Sequence, residues 1–167
     1  MRHSRKLLVA ALSALSVVAA GSATVLAHDD HNIIRFGSMT PVTGAAVGAV
    51  NDRGLAGGGK AWAIASGSGS VSRDGHVMVS VSGLVIPEFG NLNPVAKFKA
   101  IVSCVTQRHA IVNVSTGLFD ANGAGDSTIN DNVALPRHCH NALVFVTSPG
   151  GAWFAVSNPS EDEESDD

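Results

Sequence analysis

The chain has 167 residues, enough for one domain with a hydrophobic core after an N-terminal segment is removed. Its formal charge is −3, from 11 Lys and Arg against 14 Asp and Glu. Residues 28–160 carry 8 basic and 8 acidic residues, so this part is neutral. That balance excludes nucleic acid and an anionic membrane surface as evident partners.

The first 27 residues have the pattern of a secretory signal peptide. Three basic residues lie within the first six, an apolar run covers 7–20, and Val25 and Ala27 are small residues that suit signal peptidase. The apolar run is shorter than the roughly 20 residues of a membrane span. We therefore predict cleavage after Ala27, no membrane span afterwards, and a secreted, extracellular or cell-envelope location. An uncleaved N-terminal helix is the alternative.

Residues 28–59 predict a flexible arm or linker, because small and polar residues dominate and three glycines end the segment. Only Ile33, Ile34 and Phe36 offer side chains suited to burial. They favour at most an edge strand.

From Lys60 onward, short apolar runs separated by turn residues predict about seven or eight strands. The Asp74-Gly75 pair is typical of a β-hairpin turn. After this turn the residues alternate, which predicts one face formed by Val77, Val79 and Val81 and an opposite face formed by Met78, Ser80 and Ser82.

The strand pattern continues to residue 158 without a convincing helix, which predicts an all-β domain over 60–158. A small antiparallel β-sandwich of the immunoglobulin-like or fibronectin-like type is the expected architecture, and a small barrel is the alternative. Residues 159–167 are too charged and polar to pack, which predicts a disordered acidic tail.

Cys104 and Cys139 are the only two cysteines. Alternation of Phe98, Ala100, Val102 and Cys104 on one strand face predicts that Cys104 is buried. On the oxidising side of a membrane the two cysteines are expected to form a disulfide. On the chain-entropy estimate, a loop of about 35 residues would stabilise the fold by roughly 3–4 kcal/mol. Free or metal-bound thiols are the alternative.

Several short segments are shared with other sequences: Asn93-Pro94 before Phe98, Val102-Ser103-Cys104, Val114-Ser115-Thr116, Leu135-Pro136 before Cys139, and Gly151-Ala152-Trp153-Phe154-Ala155. In these segments the chain resembles a group of uncharacterised exported bacterial proteins, over roughly 53–157. The resemblance implies a β-rich domain and the same disulfide. It implies no catalytic residue.

Histidines provide one candidate metal site on a strand and another at the predicted new N-terminus. His138 and His140 flank Cys139 and project to the same side of an extended segment, a common start of a zinc or copper site. His109 and His76 are possible third ligands. Cleavage after Ala27 would also expose the amine and imidazole of His28, near His31, to copper.

The segment from Asp120 to Asp131 partly matches a calcium-binding loop. Asp120, Asn122, Asp126 and Asp131 provide oxygen ligands, and glycine at the sixth position permits a sharp turn. Ala124 stands at a usual ligand position, and the flanking segments predict strands instead of helices. A tight Asn-Gly turn is the alternative explanation.

No catalytic constellation is recognisable in the sequence: a G-x-S-x-G motif is missing, and Glu88 is the only glutamate before the tail. The sequence therefore predicts a non-enzymatic exported module without a cofactor, which contacts an unknown extracellular protein or surface component. The alternative function is binding of copper, zinc or calcium at the residues named above.

Overall fold

The structure is a computed structural model that describes residues 31–159. The predicted signal peptide (1–27), His28 and all of the predicted acidic tail except residue 159 lie outside the described residues. Within 31–159, no helix combines the length and the apolar character that a membrane crossing requires.

The described residues form ten β-strands and two short 3₁₀ turns, at Gly44–Ala46 and Pro87–Phe89. The strands are β1 (Asn32–Phe36), β2 (Ser38–Pro41), β3 (Ser66–Ser72), β4 (His76–Ser82), β5 (Lys97–Val105), β6 (Ile111–Ser115), β7 (Phe119–Asp120), β8 (Ser127–Asn132), β9 (His140–Thr147) and β10 (Trp153–Asn158).

Two antiparallel sheets pack face to face, which confirms the predicted sandwich; neither sheet closes into a barrel. The four-stranded sheet has the order β1-β3-β4-β8. The larger sheet has the order β2-β10-β9-β5-β6, and β7 pairs with β5 beside it. Ten strands are found instead of the seven or eight expected, because β1, β2 and the short β7 were not counted.

The prediction of a flexible arm over 28–59 is wrong for the part that the structure describes, and the sandwich begins at β1. β1 is an edge strand of the smaller sheet, and β2 is an edge strand of the larger one. Ile34 and Val42 are only 1% and 0% exposed. The sequence signal is weak because each strand is short and its partners, β3 and β10, are distant in the chain.

Segment 43–58 is also held against the larger sheet by hydrogen bonds. The Trp153 amide donates to the Ala56 carbonyl at 2.9 Å, and the Gly58 amide donates to the Trp153 carbonyl at 2.8 Å. Since backbone groups of a free linker bond to water, these bonds identify the segment as part of the domain.

Arg53 ties the tip of this segment to the larger sheet. Its guanidinium donates to the Asn141 carbonyl at 2.8 Å and to the Ser103 carbonyl at 3.4 Å. The Asn113 side chain in turn donates to the Arg53 carbonyl at 2.8 Å. Burial lowers the pKa of Arg53 below its usual value, and neighbouring Asp52 partly opposes that shift.

The hydrophobic core lies between the sheets and is built largely from valines, which suit paired strands. An aromatic cluster fills its centre. Trp62 stacks on Phe154 with ring centroids 3.9 Å apart, and Phe98 meets both rings edge-on at 6.4 and 5.8 Å. The predicted inward face of β4 is confirmed, since Val77, Val79 and Val81 are at most 3% exposed.

The predicted disulfide between Cys104 and Cys139 is present, with Cα atoms 4.7 Å apart. Cys104 is fully buried near the end of β5, and Cys139 immediately precedes β9. The predicted hairpin at Asp74-Gly75 is also present and joins β3 to β4. Gly75 has φ +94°, a left-handed conformation that glycine adopts readily.

Candidate functional site

The outer face of the smaller sheet carries a regular field of small polar side chains around one methionine. We call it the hydroxyl face and define it by Ser66, Ser68 and Ser70 of β3, Met78, Ser80 and Ser82 of β4, and Thr128 and Asn130 of β8. All except the half-buried Ser70 are exposed. Because alternate residues of a strand point to opposite faces, these side chains project away from the core.

The Ser-Gly alternation of β3 places serine outward and glycine inward. A Cβ at Gly67 would lie 2.7 Å from the Met39 side chain, and one at Gly69 would lie 2.7 Å from the Phe36 ring. Glycine therefore lets the first two strands of the chain pack closely against β3.

Met78 lies in the middle of this face and is 44% exposed. The sheet register places Ser70 on one side of it and Asn130 on the other, and Arg35 is opposite Ser70 at the sheet edge. The His76 ring nitrogen Nε2 lies 2.8 Å from the Asn130 side-chain oxygen. An exposed apolar group is thus surrounded by uncharged polar groups, with charge only at the margin.

An open depression of about 580 Å³ adjoins one end of the hydroxyl face. Ser80, Ser82 and Thr128 form one side, and the loop containing Asp120, Asn122 and Asp126 forms the other. Three of the four predicted calcium ligands therefore line the same depression.

The Asp126 carboxylate is already occupied by protein donors. It accepts hydrogen bonds from the Ser82 hydroxyl at 2.7 Å, the Gly83 amide at 3.0 Å and the Asn122 side chain at 3.0 Å. These bonds, the one from Asn122 above all, lower the pKa of Asp126 below its usual value. The carboxylate thus fixes the loop before β8 to the end of β4.

The other two acidic residues of the predicted calcium loop also hold local structure. Asp120 forms an ion pair with Lys97, and a hydrogen bond from the lysine is the main cause that lowers the pKa of Asp120. Asp131 lies outside the depression and accepts from the Gly117 amide at 2.7 Å, the main cause of its own lowered pKa. The four predicted ligands do not converge on one point.

Of the histidines in the predicted copper or zinc sites that the structure describes, His76 is half-buried and the others are exposed: His31, His109, His138 and His140. The rings of His138 and His140 are nearly parallel, with centroids 6.3 Å apart. His31 lies beside the β3–β4 hairpin, where its carbonyl accepts from the Arg73 amide at 2.7 Å. In the part of the chain from 31 to 159, no three or more His, Cys, Asp or Glu side chains are grouped so that they could hold a metal.

Asp74, next to His31, has a local role as well. A hydrogen bond from the Ser72 hydroxyl is the largest cause of the lowered pKa of Asp74, and the His76 amide and the charge of His31 act in the same direction. Because Ser72 ends β3 and His76 begins β4, the Asp74 carboxylate links the two sides of the hairpin turn.

Comparisons with protein-family models, curated proteins and solved structures found no match to this chain. The site is therefore described by its own chemistry: a flat, uncharged, hydrogen-bonding surface with an apolar centre. Alternation in the sequence predicted one face formed by Met78, Ser80 and Ser82 but gave no such prediction for the serines of β3, because a Ser-Gly run is also typical of loops. Their strict period of two was the available signal.

Proposed function

We propose that this protein is an exported, non-enzymatic module that binds another protein through the hydroxyl face. The observation that carries the proposal is Met78, an exposed apolar side chain at the centre of a field of Ser, Thr and Asn side chains. Protein–protein interfaces share part of this anatomy, since charge is depleted and methionine is enriched at their centre and a polar margin surrounds it, although serine is also depleted there.

The hydrogen bonds that the aspartate carboxylates accept support a binding function over a catalytic one. A catalytic acid or base must lie within hydrogen-bond reach of the proton that it transfers. At least one carboxylate oxygen of each of four residues instead accepts a hydrogen bond from a hydroxyl, amide or ammonium group of the protein itself: Asp74, Asp120, Asp126 and Asp131. Each of these bonds secures a turn or a loop.

The choice of a protein partner over a polysaccharide rests on the tryptophans. Sugar rings are commonly recognised by stacking on exposed aromatic faces, and this chain has no tyrosine. Trp62 and Trp153 are 3% and 6% exposed and pack inside the domain. A small apolar centre with hydrogen-bonding groups around it suits a protein surface better.

The size of the face limits the strength of the contact. The three strands that carry the face lie about 4.8 Å apart and span about 10 Å, and seven residues at about 3.3 Å each span about 23 Å. This footprint is smaller than the roughly 800 Å² per partner of a standard stable interface. We therefore expect a weak or transient complex.

Site-specific photo-crosslinking tests the proposal in the organism that exports the protein. A photo-reactive residue at Ser80 is compared with one at Ser115, which is exposed on the edge strand β6 of the other sheet. We expect one adduct of defined mass from position 80 and none from position 115. Met78→Glu should abolish that adduct, whereas Val50→Glu, at another exposed apolar residue, should leave it unchanged.

Two results would overturn the proposal. One is an adduct from position 115 with none from position 80. The other is an adduct from position 80 that survives Met78→Glu, since a charge at the centre of a true interface must weaken it.

A further inference from the structure

Basic side chains gather at one end of the larger sheet. They lie on the β5–β6 hairpin and on the segment entering β9, and all are exposed: Arg108, His109, Arg137, His138 and His140. We call these five residues the basic end. Neither segment 106–110 nor segment 133–140 contains an acidic residue.

Covalent and backbone contacts hold the two segments together. The disulfide joins Cys104 to Cys139, so Arg108 lies four residues from one end of the bond and Arg137 two residues from the other. Val105 pairs with His140 in the sheet. The hairpin is closed by the Thr106 amide, which donates to the Ala110 carbonyl at 2.9 Å.

The arginines of the basic end have no acidic partner within residues 31–159. The salt bridges of that part of the chain join Lys60 to Glu88 and Lys97 to Asp120, and neither Arg108 nor Arg137 takes part in one.

β10, the last strand of the described residues, leaves the larger sheet at this end. β10 runs antiparallel to β9 with Val156 opposite Phe145, which puts Asn158 level with Leu143. The Val144 amide donates to the Ser157 hydroxyl at 2.9 Å, and this bond supports the alignment of β10 with β9. His140 lies three residues farther in the direction in which β10 leaves the sheet.

The residues that follow β10 carry the complementary charge. Ser160 to Asp167 contain six Asp and Glu and no basic residue. Three residues can span at most about 10 Å, which is the length of the β9 backbone from Leu143 to His140. The carboxylates after Glu161 therefore have the length to reach the basic end.

We propose that the acidic segment 160–167 binds the basic end of its own chain. The short connection gives the segment an effective concentration on the order of millimolar at that surface, so weak ion pairs suffice to populate the contact. Because the groups are exposed, the contact is mobile and is screened by salt within about 10 Å at 0.1 M. It shields the basic end from other anions. This inference is independent of the hydroxyl face, which belongs to the other sheet.

Nuclear magnetic resonance on the protein without its predicted signal peptide tests the contact. Amide shifts of the chain ending at Asp167 are compared with those of a variant in which the six acidic residues of 161–167 become Asn or Gln. At 20 mM salt we expect the differences to concentrate at 106–110 and 137–141, and to disappear at 0.5 M salt. Lys97 and Lys99, at the opposite end of β5, serve as the internal basic control and should not shift.

Charge reversal provides the second test. In the Arg108→Glu, Arg137→Glu double variant, neutralising the tail should no longer shift these amides. The proposal is overturned if the amides of the basic end do not respond to the tail at low salt, or if the response centres on Lys97 and Lys99. Differences that grow with protein concentration between 50 and 500 µM would assign the contact to a second copy and overturn binding within one chain.

Discussion

Replacement of Gly69 by alanine tests how the hydroxyl face is built. The added Cβ would lie 2.3 Å from the Met78 carbonyl oxygen and 2.7 Å from the Phe36 ring. The oxygen belongs to the backbone of β4 and cannot rotate away, so β3 must shift. Overpacking of this kind costs about 1–3 kcal/mol. With one obstacle in the backbone we expect about 2 kcal/mol of lost unfolding free energy, or roughly 8 °C in Tm for a domain of this size.

Urea and thermal unfolding, followed by the fluorescence of the buried Trp62 and Trp153, measure the loss. Gly59→Ala is the matched control: nothing lies within 4 Å of its added Cβ and its φ is not positive. It should be neutral or stabilise by up to about 1 kcal/mol. If Gly69→Ala proved as stable as Gly59→Ala, the close approach of the Met78 carbonyl and the Phe36 ring would be refuted as the reason for glycine.

Three further predictions concern other bonds that hold the domain together. Replacing both Cys104 and Cys139 by alanine should lower the unfolding free energy by about 4 kcal/mol, since the disulfide closes a separation of 35 residues. The loss would be measured as a lower urea midpoint. An unchanged midpoint would contradict a stabilising role of the disulfide. Asp126 has a lowered pKa in the folded state, so its contribution to stability is present above about pH 4, where an unfolded aspartate is charged, and is lost as the pH falls through the folded-state pKa. Asp126→Asn should therefore lower Tm at pH 6 and flatten the fall of Tm between pH 5 and pH 2, whereas a parallel curve would show that the carboxylate contributes nothing. Arg53→Ala removes the bonds that anchor segment 43–58, so limited proteolysis should cut within that segment faster than in the parent and nowhere else; equal cutting rates would show that the guanidinium does not hold it.

The parts of the fold that the sequence predicted are those governed by local alternation. In β4 a period of two separates buried from exposed residues over seven positions, so strand and facing could both be inferred. In β5 the alternation located the strand, but residues 100–104 are buried on both faces, which the pattern did not predict. The hairpin before β4 followed from the conformational freedom of Gly75. The disulfide followed from the cysteine count and the predicted export, because the sequence contains no third cysteine.

The features that could not be predicted from the sequence depend on residues that are distant in the chain. β2 has four residues and is a strand because β10 lies beside it, and nothing near residue 40 indicates that pairing. The same limit applies to the hydroxyl face. Alternation placed Met78 outward, but only the strand order β3-β4-β8 brings Ser70 and Asn130 to its sides. For Asp126, the sequence shows an oxygen ligand but not the Ser82 donor that occupies it.

The pairing of β2 with β10 has a consequence for the order in which the chain can fold. β2 is among the first described residues and β10 contains the last, so one edge of the larger sheet cannot form until almost the whole domain has been synthesised. Long-range pairing of this kind is slow, because the loop between the strands must close first. A chain that emerges from its N-terminus onward therefore keeps β2 unpaired until the end. That delay keeps the domain unfolded for longer, which would suit the export proposed above.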